Sequence, residues 1–280
     1  MTKPEMTKIS GLDMRKTISW YIQNSSDLTA SLDQKLQFPI GSDHIGYTIE
    51  GREHLHLTDF ELFRLMRLFP DSAMQRSVLR SINGKPQLWF KKESTAFDIN
   101  VTNRFQDAIS PTAMVPSFVG YDKVDDQLVA DVNIYRMAGI FVTPTVGKLI
   151  HAEGLLHEVA HTIIQPALSV EGYKLRLASG EIVDGFDYVM KFAEMVEGLP
   201  AISHYAATYR GPDGKFESSD ERYNPILAVN EELAESIAAK LLGFTFCEET
   251  HRRKNPFVER PEAKQFVDDF LEARLYKEQR

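Results

Sequence analysis

The stretch VGKLIHAEGLLHEVAHTII, Val146 to Ile164, decides the reading of this chain. Its apolar residues recur at helical spacing, and it contains His157-Glu158-Val159-Ala160-His161 with no glycine or proline inside those five positions. On an α-helix, residues four apart lie on one face. His157 and His161 therefore point the same way and can hold one metal ion. Glu158 sits one step round, beside that ion rather than on it. There it can take a proton from a water whose pKa zinc has lowered toward neutrality, and later pass it to a leaving amine. With 8 histidines in 280 residues, chance yields such a pentamer in about 2 % of chains this long, so the pattern is informative. Pro166 is expected to stop the helix.

Working outward, the segment before the motif reads as sheet. Asp131 to Tyr135 alternates, and Gly139 to Val142 is β-rich. Further back, Pro86–Phe90 and Phe97–Val101 read as strands. Ser42 to His56, with its glycines, reads as short strands and turns. Asp13 to Gln23 reads as a helix. Thr58-Asp59-Phe60-Glu61 is a capping box ahead of a stripe of Phe60, Phe63, Leu65, Met66 and Phe69, ended by Pro70. Ser72 to Ile82 reads as another helix, closed by Asn83-Gly84.

After the motif, Tyr173–Val183 reads as a hairpin around Ser179-Gly180, and Asp184–Val196 as an amphipathic helix. Arg210–Asp220 reads as a charged surface loop. Asn224-Pro225 caps a helix running to Leu242, with Gly243 as its stop. A last helix is expected over Pro261–Tyr276. This is an α+β order with the motif helix near the middle. Residues 1–125 form an N-terminal α+β region, separate or part of the same domain, and 126–280 the region that carries the chemistry.

A catalytic zinc takes three protein ligands and keeps one open position. A third His six residues after His161 is missing, because that position is Ala167. The better source is Asn230-Glu231-Glu232-Leu233-Ala234-Glu235 on the Asn224–Leu242 helix. Glu231 lies at the edge of the apolar face, with Leu227, Ala234 and Ala238 around it. Glu232 shares its face with Ser236 and Ala239 and is expected to point to water. Glu235, one turn after Glu231, can accept a hydrogen bond from a ligand His and fix its tautomer. The competing reading of this segment is a solvated acidic face.

The five-residue motif together with this later acidic helix resembles the gluzincin metallopeptidases, whose zinc ligands are two His and a Glu from a following helix. The resemblance implies a zincin-like fold, a small mixed sheet packed on the active-site helix with a mainly helical C-terminal part. It implies Zn2+ as cofactor, His157, His161 and Glu231 as ligands, Glu158 as general base, and Glu235 as a supporting acid. Between the two motifs, Ile202-Ser203-His204-Tyr205-Ala206 looks like the Ser-x-Tyr-Ala/Gly segment of toxin-type members such as anthrax lethal factor and the Pro-Pro endopeptidases. That likeness implies that Tyr205 donates a hydrogen bond to the developing oxyanion. The resemblance spans about Val132 to Leu242. It does not reach residues 1–128 or the last forty or so. From His161 to Glu231 is 70 positions, longer than in compact members, which leaves the nearer Glu194 and Glu181 as alternative ligands.

The bulk properties set the class of partner. The formal net charge is −8, which disfavours a nucleic-acid partner because phosphate binding needs a basic face. No run of about 18 apolar residues occurs, so no membrane span is expected. The first residues lack the apolar core of a secretory signal, and the expected location is the cytoplasm, or outside the cell by export without a classical signal. The single cysteine, Cys247, reads as a small apolar residue. His54 and His56 share a strand face and read as a polar surface pair; His204 neighbours Tyr205 and can line a cleft. The expected partner is a protein or peptide substrate, laid along an edge strand, with Asp131–Tyr135 or Gly139–Val142 as candidates. The expected activity is that of a dedicated, effector-type zinc endopeptidase. Two other readings stand beside it: a non-catalytic binding or regulatory protein on the same scaffold, and a metal-dependent hydrolase of a non-peptide amide. Oligomeric state is open.

Overall fold

The motif segment is helical over Pro144–Ser169, and the helix runs through Pro166 instead of ending before it. Proline removes the N–H that would bond the carbonyl four residues back, here that of Thr162. That carbonyl instead accepts the N–H of Val78 at 3.0 Å, and the Ser77 and Thr162 hydroxyls meet at 2.6 Å. With the orphaned acceptor satisfied from elsewhere in the chain, the helix continues for one more turn. The same docking limits the preceding helix. In place of a helix over Ser72–Ile82, the chain is helical only over Asp71–Arg76. The backbone of Val78 and Arg80 then bonds Ala130 at 2.7 and 2.6 Å.

This computed structural model describes residues 14–37, 48–51, 56–82, 85–91, 117–135, 144–207, 209–211, 214–216, 224–245 and 255–277. In chain order the elements are α1 (Met14–Leu36), β1 (Thr48–Glu50), α2 (Asp59–Met66), α3 (Asp71–Arg76), β2 (Ser81–Ile82), β3 (Lys85–Lys91), β4 (Ser117–Val124) and β5 (Gln127–Tyr135). The motif helix α4 (Pro144–Ser169) follows, then β6 (Lys174–Arg176), β7 (Ile182–Asp184), α5 (Gly185–Val196), α6 (His204–Ala207) and α7 (Pro225–Leu242). A 3-10 turn (Pro256–Glu259), α8 (Pro261–Glu272) and β8 (Arg274–Leu275) end the described chain. The architecture is α+β.

The main sheet has the order β1-β3-β5-β4, with β2 paired onto β3. β1–β3 and β3–β5 are parallel; β4–β5 is antiparallel, with Tyr121 opposite Ala130. Asp131–Tyr135 is therefore inside the sheet, not an edge; among the described strands the edge beside β5 is β4. Gly139–Val142, Phe97–Val101 and Asn83-Gly84 lie outside the described residues. Asp125 and Asp126 turn the β4–β5 hairpin with φ of +51° and +60°, the left-handed pair that two-residue hairpins favour and that Asp tolerates. A second small sheet has the order β7-β6-β8. β8 takes residues expected to continue α8, and Tyr276 N–H bonds Lys174 O at 2.9 Å.

Helix α4 is the axis of the core. It packs on β4 and β5, along α7, and against α1 and α5. A helix buried on most sides needs apolar residues all round, and Leu149, Leu155, Leu156, Val159, Ile163 and Ile164 are buried. Helix α1 extends well beyond Gln23, laying Leu28, Leu32 and Leu36 on the core at four-residue spacing. Lys148 of α4 meets Asp33 of α1 and Glu61 before α2's midpoint, both at 2.6 Å. Gly147 is required by close approach: a Cβ there would fall 2.3 Å from the His56 ring.

Thr58 caps α2 in a full capping box, as the sequence suggests. Its buried stripe, however, is Leu62, Leu65 and Met66; Phe60 is 50 % exposed, with the Arg64 guanidinium 3.8 Å above its ring. The hairpin at Gly180, the helix up to Val196 and the Asn224 and Gly243 caps of α7 follow the sequence reading, and Asp184 caps α5. Among the described residues no helix is long and apolar enough to cross a membrane.

Candidate metal centre

Four-residue spacing on α4 brings the two histidines together. The imidazole Nε2 atoms of His157 and His161 are 2.9 Å apart, with the rings nearly perpendicular. Both side chains are buried, as is Glu158 between them in sequence. Glu158 offers a carboxylate oxygen that, with one nitrogen of each imidazole, forms a set lying within 4.8 Å of one another.

The acidic residues of α7 face this pair. Glu231 Oε2 stands 3.3 Å from His157 Nε2 and 3.4 Å from His161 Nε2. Two carboxylates thus approach the imidazoles, Glu158 from α4 itself and Glu231 from α7. Its Oε2 is buried and makes no hydrogen bond. The three atoms form a triangle with sides of 2.9, 3.3 and 3.4 Å. Such a triangle has a circumscribed radius of about 1.9 Å, just under the ~2.0–2.2 Å at which zinc binds imidazole nitrogen and carboxylate oxygen. One ion can reach all three donors, and the donor set suits zinc.

Behind the imidazoles stand Asn230, hydrogen-bonded to His161, and Glu235, an ion-pair neighbour of His157. His161 Nδ1 lies 3.0 Å from Asn230 Oδ1, and Asn230 Nδ2 donates to Gln165 Oε1 at 3.3 Å. With the Asn amide so oriented, Nδ1 carries the proton and Nε2 turns its lone pair inward. His157 Nδ1 lies 3.0 Å from Glu235 Oε1. The Thr245 hydroxyl stands within reach of Glu235 Oε2 at 3.3 Å and of Glu153 Oε1 at 3.1 Å. Asn230 has no assigned part in the sequence reading; its place one residue before Glu231 is the signal that could have found it.

Three buried carboxylates beside two imidazoles leave the centre short of positive charge. Burial pushes the His157 pKa down, but the charges of Glu235, Glu231 and Glu158 outweigh it and hold the group well above its ordinary value. His161 is raised in the same way, mainly by Glu231. Burial opposes ionisation of Glu231, yet His161 and His157 bring its pKa down to about 2. A site that draws protons onto its imidazoles in this way has the charge balance for a cation.

Tyr205 lies on α6 with its ring edge-on to His157, centroids 5.7 Å apart. Its hydroxyl meets that of Tyr209 at 2.7 Å. Burial, then the Glu231 charge, raises both phenol pKa values well above the ordinary 10, so both remain protonated donors near neutrality. Tyr209, one helical turn past Tyr205, escaped the sequence reading, although that spacing was visible.

Glu232 does not point to water. It is 0 % exposed, its Oε1 accepting from Ile202 N–H at 2.9 Å and Arg260 at 2.8 Å, with Arg210 at 3.0 Å. Arg210, expected on a surface loop, is buried here; it also donates to Leu199 O at 2.7 Å and lies over the Phe216 ring. Glu194 and Glu181 are both exposed, whereas the imidazoles are buried. His56 stands against His151, ring centroids 5.0 Å apart. His54, Cys247 and the side chain of His204 lie outside the described residues.

Comparisons with family models, with curated proteins and with solved structures gave no significant match to this chain.

Proposed function

We propose that this chain is a zinc-dependent peptidase of gluzincin type, with a zincin-like catalytic region. His157, His161 and Glu231 are the metal ligands. The observation that carries the reading is the buried triangle of donor atoms contributed by two helices, with each imidazole held from behind by a residue of α7. A zinc ion bound there would supply Lewis acidity and water of lowered pKa.

The chain's own groups do the rest. Glu158, beside the ligands on the same helix, takes the proton from the attacking water and returns it to the leaving amine. Tyr205 donates to the oxygen that gains negative charge, its phenol kept neutral by burial and by Glu231. Asn230 and Glu235 hold the two rings so that both Nε2 lone pairs converge. An extended peptide adds to β4, the edge beside β5, by main-chain hydrogen bonds. A dedicated, effector-type substrate suits a site this enclosed better than broad digestion.

The test is metal content of the purified full chain by elemental mass spectrometry. About one zinc per wild-type chain is expected, with sharp loss in His161→Ala and Glu231→Gln. Glu158→Gln should keep its zinc and lose roughly 100- to 10,000-fold in peptide hydrolysis, the usual contribution of a general base. A wild type that takes up no zinc after reconstitution would sink the proposal. Zinc uptake without cleavage of any peptide in a broad library would convert it to a non-catalytic binding role.

A further inference from the structure

Tyr121 is the buried phenol that the scheme above leaves unused. It lies on β4, opposite Ala130 of β5. Along a strand, alternate residues share a face, and Val119, two positions back, packs against the core. Tyr121 is therefore on the side of β4 turned toward α4, with which the strand is in contact. Its hydroxyl oxygen is buried and has no hydrogen-bond partner.

Three other described phenols have different surroundings. The Tyr205 and Tyr209 hydroxyls satisfy one another. The Tyr173 hydroxyl is also buried without a hydrogen-bond partner, but the charge beside it is the Arg76 guanidinium. Among the described residues the Tyr121 hydroxyl finds no hydrogen-bond partner. What it faces is the negative charge of Glu158 and Glu231, which, after burial itself, keeps the phenol protonated. Neither carboxylate accepts its proton. A buried donor left unmade carries its full desolvation penalty, and a bound ligand that accepts from it is one way a folded protein removes that penalty. The partner must be an acceptor, and it must be uncharged or already neutralised, because two carboxylates are near.

We propose that Tyr121 is a substrate-binding residue, its phenol O–H donating a hydrogen bond to a carbonyl oxygen of a peptide laid along β4. The assignment rests on the peptidase reading. It extends that reading by placing a second donor across from Tyr205, on the sheet side of the centre rather than the α6 side. A peptide paired with β4 then meets the metal centre between two neutral phenols contributed by different elements.

The experiment uses zinc-reconstituted full-length chain labelled with fluorotyrosine, with acetohydroxamate as the probe, a small chelator that carries a carbonyl oxygen to the metal. The fluorine resonance missing from Tyr121→Phe identifies this residue. Titration with acetohydroxamate should shift that resonance in the wild type and leave the Tyr173 resonance in place. Tyr121→Phe should hold zinc as wild type does and bind the probe about 5- to 10-fold more weakly, the size of one neutral hydrogen bond. An unmoved resonance with equal affinity in both proteins would overturn the role of Tyr121 alone. Failure of the wild type to take up zinc would overturn the peptidase reading and this assignment together.

Discussion

Glu231 and Glu232 are consecutive on α7, and both are buried, yet one faces two imidazoles and the other two guanidinium groups. Around Glu232 cations are already in place: one carboxylate oxygen gathers Arg260, Arg210 and the Ile202 N–H within 3.0 Å, although the other oxygen is buried without a partner. The two arginines reach on to the carbonyls of Leu199, Pro200 and Gly214. Those carbonyls belong to the irregular chain on both sides of α6, which carries Tyr205, so the Glu232 cluster holds the phenol side of the centre in place. Around Glu231 nothing closes. Its partners are bases whose lone pairs converge with its own on one point. A buried carboxylate matched by arginines is a fastening, because permanent cations already stand beside it. A buried carboxylate facing imidazoles is a site, because it stays short of a cation until one binds or protons substitute.

The largest expected effect is on the fastening. Glu232→Gln leaves two buried guanidinium groups without their carboxylate, and breaking a buried pair from one side costs about 3–5 kcal/mol. Urea unfolding of the zinc-free protein should show that loss for Glu232→Gln, whereas the loss in Glu231→Gln should shrink as pH rises and the imidazoles beside it give up their protons. Zinc stoichiometry should fall more in Glu231→Gln than in Glu232→Gln. If the two variants lose stability and zinc alike, the division between them is wrong.

Next in size are the residues behind the rings. Glu235→Gln should weaken zinc binding by roughly 10- to 100-fold, the usual cost of losing the group that orients a ligand histidine. Asn230→Ala should fall at the lower end of that range, since a neutral amide replaces a carboxylate as the acceptor. Chelator competition measures both. Glu232→Gln, although its side chain is as buried, should shift zinc affinity less than either, which sharpens the distinction between fastening and site.

The sequence made the local part of this centre legible. His157, Glu158 and His161 are related by helix geometry alone, and Glu231 and Glu235 by the next turn of one helix. The Asn224 and Gly243 caps bounded that helix correctly because caps are local chemistry. What escaped was long-range. The expectation that Glu232 faces water rested on its neighbours along α7, and no local pattern announces that Arg210 and Arg260, 22 positions before and 28 after, converge on it. The stop expected at Pro166 failed for the same reason, since the Val78 N–H that rescues Thr162 comes from far along the chain. Strand β4 went unread, and Tyr121 with it, although Asp125-Asp126 is a pair that tolerates the left-handed turn a tight hairpin demands. A helix declares itself by its own period; a sheet edge and a buried ion cluster are defined by what lies across from them.

The smallest effect tests whether the open site behaves as a proton trap when no zinc is bound. Glu231 has a folded pKa of about 2 against an ordinary 4.5. The unfolded chain therefore binds the extra proton between those values. This contribution to stability is complete above 4.5 and is lost as pH falls toward about 2. His157 and His161 are shifted the other way, above an ordinary 6.5. Their contribution is complete below 6.5 and is lost as pH rises through their folded values. The zinc-free protein should therefore be more stable at a pH of about 5 than at about 8, as read by urea midpoints at fixed temperature. Zinc affinity should rise over the same interval, because the ion replaces those protons. In Glu231→Gln both dependences should flatten, since the carboxylate that draws protons to the rings is gone. A zinc-free wild type with the same midpoint at both pH values would show that the three groups are not coupled, and that the contrast between the adjacent glutamates is one of packing rather than of charge.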